Sequence, residues 1–411
     1  MNSNMTLKRN SREQSHNRRK ILKKVWENET ISRAELAKQL HLSPATVSSN
    51  VAELVRMNYI RLGKEGDSSG GRKPIMLEIN EDSLAAVGIT VMKESVLSSL
   101  VNLKGEVIDS RLDKYTLPIS KDSILSTILF SIKKILAIWN NNQKICGIGI
   151  GMHGVVDYSS GISIFAPYFS WHYINIKTLV EEEFHIPVLV DNDARVMVLA
   201  EKWFGKYRSL QNFIFLSLDE GVGGGIMVDG KLFRGSGYAA GEIGHIHVKE
   251  NGSKCICGNY GCLETVAAIP RIVGEIVDQI RLGYPSYITD IIGDKPLNLI
   301  DFDIVLEAVK KGDDLCKKVL SKVGMYIGVA SADIINFFNP EAIIIGGKLS
   351  LAWDYFKEDV RETVIRQSMH ECNKNVKILR SSFVGCRGDI GAAALVVDKI
   401  LEENFLQSLN K

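Results

Sequence analysis

The segment GEIGHIHVKENGSKCICGNYGCLET, residues 241–265, crowds three thiols and two imidazoles into one short stretch. A tetrahedral ion needs four soft or borderline donors, brought together by a chain that can turn sharply. Cys255, Cys257 and Cys262, spaced C-x-C-x4-C, supply three thiolates; Gly258 and Gly261 supply the turns, and either His245 or His247 closes the set. Four protein ligands leave no open position, so the spacing predicts a structural Zn(II) that fixes a loop over 245–262 and not one that activates water. Cys146, Cys316, Cys372 and Cys386 are scattered through apolar or helical surroundings and read as core thiols.

A second set of residues could hold hydroxyl groups. Asn192 and Asp193 follow the apolar run IPVLV and open a helical segment, which puts the aspartate at a sheet edge where it could accept a proton from a hydroxyl. Glu242 and His245 precede the cysteines, and Glu264 stands two residues after Cys262, so one rigid anchor gathers carboxylates and an imidazole of the kind that bind a polyol. The run EGVGGG at 220–225 has the spelling of a tight turn as much as of a phosphate cradle, and no P-loop lysine follows it.

A third set lies near the start of the chain. Base edges are read at contact distance, so a helix entering the major groove carries short hydrogen-bonding residues on its exposed face. Over 44–57, the apolar positions Val47, Val51 and Leu54 predict the inner face, and Thr46, Ser48, Ser49 and Asn50 the outer one, with Asn50 able to pair with an adenine edge. Arg18, Arg19, Lys20, Arg33 and Lys38 would meet phosphates, and Arg72 and Lys73 would reach a neighbouring groove or backbone.

These residues need elements to hold them. Residues 1–16 are polar and read as loose; Ile21, Leu22, Val25 and Trp26 then recur at helical spacing. Ser32 with Glu35 makes a capping box, and Leu36, Ala37 and Leu40 form the inner face of the helix it opens. Ser43 and Pro44 open the third helix, the proline falling where its missing N–H costs nothing. Strands at 59–62 and 75–79 flank GKEGDSSGGRK, a glycine-rich basic hairpin tip, so residues 1–80 read as a winged helix-turn-helix DNA-binding domain. Beyond residue 80, strands at 87–91, 95–100, 145–150, 184–190, 213–218 and 342–345 alternate with helices at 123–139, 194–204 and 319–337, which argues an α/β body over 81–411, divided into two lobes.

The charge agrees with this division. Residues 1–80 carry 15 basic and 8 acidic side chains, and the remainder 35 basic and 40 acidic, the asymmetry of a chain with one end on a polyanion. A chain of 411 residues that is 45% hydrophobic is excluded from the disordered class. The first residues lack a secretory apolar stretch, and no run of 18 apolar residues occurs, so a cytoplasmic protein without a membrane partner is expected.

From Gly241 to Glu264 the pattern G-E-I-G-H followed by C-x-C-G-N-x-G-C-L-E resembles the ROK family of repressors, open reading frames and sugar kinases, and supporting marks run through nearly the whole length. Among these marks are Asn192-Asp193, the glycines within 221–225, G-K-L at 230–232 with Gly235, and Ile345-Gly346-Gly347. The winged helix points to the repressor branch, and the overall form is most similar to its xylose-responsive members. The resemblance implies a two-lobed, actin-like body of the ribonuclease-H type, with zinc held by His245, Cys255, Cys257 and Cys262. It implies sugar contacts at Asn192, Asp193, Glu242, His245 and Glu264, with Asp193 a vestige of the general base in members that phosphorylate. Family kinases open the body with D-x-G-G-T, whereas this chain reads I-T-V-M-K-E after Gly88, with Thr90 at the aspartate position and Met92 and Lys93 where glycines belong. No nucleotide and no catalysis are therefore expected, the alternative being an ATP-dependent sugar kinase with a regulatory head. Residues 166–171 read APYFSW where family repressors often have A-P-N-L-x-W, placing Tyr168 at the asparagine, and His153 stands where a proline is usual. The expected partners are operator double-stranded DNA, a small sugar with xylose favoured, and further copies of the chain in a homodimer or dimer of dimers.

Overall fold

The computed structural model describes residues 2–67, 73–139, 144–385 and 387–401, with side chains from residue 14 onward. The chain divides into two compact units, Met1–Phe204 with Gly388–Lys411, and Gly205–Arg387.

The first unit opens with a helix over Asn2–Asn28, whose packed part buries Ile21, Leu22, Val25 and Trp26. The polar start, expected to be loose, belongs to this helix. Without glycine or proline upstream, elongation from a packed segment avoids the cost of a new nucleus. Helix Arg33–Leu40 carries the predicted capping box: Glu35 N donates to Ser32 Oγ at 3.2 Å, and Ser32 N donates back to Glu35 Oε2 at 2.9 Å. Helix Pro44–Arg56 begins at Ser43, whose Oγ accepts from Thr46 N at 3.1 Å. Strands Ile60–Glu65 and Ile75–Ile79 form the antiparallel wing, and a three-residue strand, Thr30–Ser32, pairs with the second of them. That short strand carries too few residues to show a period of two, and sequence reasoning missed it.

The lobe of this unit is a five-stranded sheet in the order Val188–Asn192, Lys144–Met152, Leu84–Val91, Ser95–Asn102, Val107–Lys114. The first three strands are parallel neighbours, and the last three form an antiparallel meander. Glycines at 88 and 149 let helix Gly388–Leu401 lie flat on the sheet: a Cβ there would stand 1.9 Å from Asp389 O and 1.8 Å from Ala392 O. On the opposite face Val87, Ile89, Ile148 and Ile150 pack with Ile124, Ile128 and Ile132 of helix Lys121–Ile138. The strand expected over 184–190 is displaced. Phe184 ends helix Ile176–Phe184, continuing the spacing of Ile176 and Val180, His185 turns the chain at φ 54°, and the strand starts at Val188.

The second unit repeats the topology. Its sheet runs Lys231–Phe233, Val222–Val228, Phe213–Leu218, Ala342–Gly346, Lys377–Arg380, so in both units the strands lie in the order third, second, first, fourth, fifth. This duplication is the ribonuclease-H-type body that the resemblance implied. Helices including Ile269–Arg281 and Asp314–Phe338 bury Ile272, Ile276, Leu320 and Ile327 against it. Among the described residues no helix is long and apolar enough to cross a membrane.

Candidate functional site

The cysteine loop is built in the second unit. Gly258 and Gly261 take φ of 96° and 70°, left-handed values that a side chain resists, and a Cβ on Gly261 would stand 2.0 Å from Lys249 O. Cys255 N donates to Asn259 O at 2.7 Å and Gly258 N to Cys255 O at 3.0 Å, folding the loop so that the thiols converge. The ligand atoms of His245, Cys255, Cys257 and Cys262 lie within 4.8 Å of one another; exposed His247 is not in the group. Cys257 Sγ and Cys262 Sγ are 3.7 Å apart, and Cys255 Sγ is 3.5 Å from His245 Nδ1. A tetrahedron with metal–sulfur bonds of about 2.3 Å and a metal–nitrogen bond of about 2.05 Å has edges of about 3.8 and 3.6 Å, so these two separations fit such an ion. Burial and the neighbouring thiols push Cys262 up to about 12, whereas the amide of Asn259 helps hold the exposed Cys257 thiol below its ordinary value. Of the other thiols, Cys146 and Cys316 are buried, Cys372 is half-buried, and Cys386 lies outside the described residues.

His245 has a second nitrogen to offer. With Nδ1 on the cysteine side, Nε2 stands 3.8 Å from Glu242 Oε2. Glu264 opens helix Glu264–Ala267, with Oε1 3.9 Å from Cys255 Sγ and Oε2 accepting from Val222 N at 3.4 Å. Glu242, His245 and Glu264 are therefore gathered at one place in this unit. The glycine run enters the same construction as a turn at Glu220 and Gly221 followed by a strand, Val222–Val228, paired antiparallel with Phe213–Leu218. A Cβ on Gly224 would stand 2.3 Å from Ile243 Cδ1, so the bare strand admits the loop that carries Glu242 and His245.

In the first unit Asn192 caps helix Asp193–Trp203, its Oδ1 accepting from Ala194 N and Arg195 N, and its Nδ2 donates to Gly154 O at 3.1 Å. Asp193 is half-buried in the first turn, with Oδ1 accepting from Ala194 N at 2.8 Å. Directly before this pair, Asp191 Oδ1 forms a buried ion pair with Arg195 Nε at 2.7 Å. Sequence reasoning missed that lock, although its i, i+4 spacing across a helix start is the available signal. Next to Gly154, His153 Nε2 accepts from Tyr168 N at 3.0 Å, and its ring lies 4.5 Å from that of Tyr168 and 4.7 Å from that of Phe169. Burial pushes His153 down to about 4, which keeps the imidazole neutral and able to accept.

Thr90 is buried in the strand that would carry the kinase aspartate, and it abuts the start of helix Gly388–Leu401: a Cβ on Gly388 would stand 2.7 Å from Thr90 Oγ1. The chain then reverses over Lys93 and Glu94, with Met92 N donating to Ser95 O at 2.9 Å.

In the head, Ser48 and Ser49 are exposed on the third helix and Thr46 is half-buried. Asn50 is not on the outer face: it is buried, and its Nδ2 donates to Thr46 O at 2.7 Å. The reason is periodic, because position 50 lies three residues after Val47 and four before Leu54, within the buried stripe. Lys38 and Lys73 are exposed, Arg33 is half-buried, and Arg72 lies outside the described residues. Of the other basic residues, Lys20 is exposed, Arg19 is half-buried, and Arg18 stands 3.5 Å from Glu53 of the third helix in an ion pair.

Comparison with known proteins matches residues 87–399 to the ROK family and residues 14–61 to a winged helix-turn-helix DNA-binding domain. The xylose repressor of Caldicellulosiruptor bescii is 32% identical over 383 residues, covering 93% of this chain and 95% of that protein. The crystal structure of a ROK family transcriptional regulator, a homologue of the Escherichia coli MLC protein, superposes with a TM-score of 0.80 at 28% identity, covering 96% of this chain and 99% of that one. A ROK family glucokinase from Streptomyces griseus, solved in complex with glucose and AMPPNP, superposes with a TM-score of 0.69 at 26% identity and covers 76% of this chain and 99% of its own.

Proposed function

Since the chain belongs to the ROK family and carries a winged helix-turn-helix ahead of the family body, we propose that it is a DNA-binding transcriptional repressor that a small sugar releases from its operator. One observation carries this reading: a capped helix with Ser48 and Ser49 exposed is joined, in one chain, to a body holding hydroxyl-binding groups. Residues 1–80 act as the DNA-binding domain and 81–411 as the sugar-binding body of a cytoplasmic homodimer. Thr46, Ser48 and Ser49 face base edges, while Arg33, Lys38, Arg72 and Lys73 face phosphate. Two-fold symmetry sets the recognition helices about 34–36 Å apart and calls for a palindromic operator.

Zn(II), held by His245 Nδ1 and the thiolates of Cys255, Cys257 and Cys262, is the structural ion of the loop. The fit of the 3.7 and 3.5 Å donor separations supports it. Metal on Nδ1 leaves Nε2 for a sugar hydroxyl beside Glu242, with Glu264 a further sugar contact of the second unit; Asn192 and Asp193 are the sugar contacts of the first. Xylose is the favoured effector, on the likeness to the Caldicellulosiruptor bescii repressor.

The chain is not an enzyme in this reading, because Thr90 stands where family kinases have an aspartate and brings no carboxylate to a nucleotide-bound metal. The kinase alternative keeps Asp193 and the likeness to the glucokinase in its favour, and ADP formation from ATP with a sugar panel would establish it. The sugar role is tested by Asp193→Ala: this variant is expected to hold operator DNA at sugar concentrations that release the wild type. Release at the same concentration as the wild type would remove Asp193 from the site.

A further inference from the structure

Helix Asp193–Trp203 has the proposed sugar contacts at one end, and every residue from Ala194 to Trp203 is buried. Its 11 residues span about 16 Å at 1.5 Å each, and a helix held on all sides moves as a rod and not by bending. The far end meets the DNA-binding head. Trp26, on the first helix of the head, donates from Nε1 to Trp203 O at 3.3 Å, so one of the helix's last carbonyls finds its partner in the head. The two indoles meet edge to face, with centroids 6.2 Å apart at 67°, and both are buried. Phe204 adds a second ring 6.4 Å from Trp26, and Lys23 Nζ lies 5.6 Å above the Trp203 ring. Trp203 is fixed from the other side as well, because its Nε1 donates to Asp398 Oδ1 at 3.0 Å. From Trp26 the first helix runs back to Arg18, which pairs with Glu53 of the recognition helix.

We propose that Trp26 and Trp203 are positioning residues, through which occupancy at Asn192 and Asp193 sets the pose of the recognition helix. The inference rests on the sugar-responsive reading above and adds to it the contact that carries the response. A ligand that draws on the Asn192 cap shifts the rod along its axis. The buried indole pair passes that shift to the head, because edge-to-face rings in a packed interface have discrete and not continuous arrangements.

The test compares the full-length wild type with Trp26→Leu and Trp26→Phe. Sugar affinity is measured by calorimetry, and operator affinity with and without saturating sugar at one salt concentration. For Trp26→Leu the expected result is unchanged sugar affinity, with the sugar-induced loss of operator affinity reduced from about tenfold or more to within about twofold. Trp26→Phe keeps an aromatic edge toward Trp203 and is expected to recover most of the response. A merely structural role would lower thermal stability and leave the release factor unchanged, so a Trp26→Leu protein with the wild-type factor overturns the proposal. A wild type that no sugar releases overturns the sugar-responsive reading itself and, with it, the ligand half of this one. Should Trp26→Leu fail to fold, fluorine spectra of the wild type carrying 5-fluorotryptophan decide. The Trp26 and Trp203 resonances, assigned with Phe variants or by elimination among the five indoles, are expected to move on addition of the sugar, and stationary resonances overturn the proposal.

Discussion

Single side chains in this protein take their roles from what the backbone leaves around them. The cysteine loop was legible in the sequence because three thiols in C-x-C-x4-C spacing have few other uses, and the structure brings those thiols and His245 within 4.8 Å. Cys262→Ser is expected to lose the zinc proposed for this loop, measured by elemental analysis, and to weaken sugar binding about tenfold or more, as loss of support around a metal site does. Full zinc content in that variant would remove Cys262 from the ligand set. His153 shows what a sequence withholds, since its burial and its bond to Tyr168 N depend on a distant loop that no local pattern announces. Its folded value of about 4 lies below the ordinary 6.5, so between these values the unfolded chain binds more protons. Stability from this group is complete above pH 6.5 and falls as the pH drops toward 4, by up to about 3 kcal/mol. Urea titrations from pH 7 to pH 4 would measure the loss. A slope identical in His153→Gln would assign it to other groups.

At the level of elements, the caps at Ser32 and Ser43 were readable because a capping box and a helix-opening proline are local chemistry. Asn50 was misread for a reason the same helix contains: hydrogen-bonding type suggested an outward role, while its position in the Val47, Val51, Leu54 stripe dictates burial. Asn50→Ala is accordingly expected to cost about 1 kcal/mol of stability, through the lost bond to Thr46 O, with operator preference unchanged. Ser49→Ala is expected to weaken specific binding by about 1 kcal/mol with little effect on stability. Thermal melts and binding to operator variants separate the two, and an altered base preference in Asn50→Ala would contradict the assignment. The glycine strand Val222–Val228 escaped recognition because glycine is depleted from strands in general. Here its bareness serves the loop that packs on it. Phe184 was assigned to the wrong element because an apolar residue between a helix and a strand satisfies both periods.

For the whole molecule, the alternation of strands and helices gave an α/β body, but the repetition of one strand order in two units depends on long-range pairing that composition does not encode. The charge division between head and body was plain from residue counts, and it agrees with the likeness to a winged helix-turn-helix DNA-binding domain over 14–61 and to the ROK family over 87–399. The central claim is that the head reads DNA and the body, on binding sugar, ends that reading. It is tested most directly by selecting fragments of genomic DNA with the purified protein, with and without xylose, at one fixed salt concentration. The predicted result is enrichment of a palindromic site that disappears when xylose is added. Enrichment indifferent to xylose would reject xylose as a sufficient effector and turn the search to hexoses and their derivatives, and the absence of any enriched site would contradict the repressor assignment.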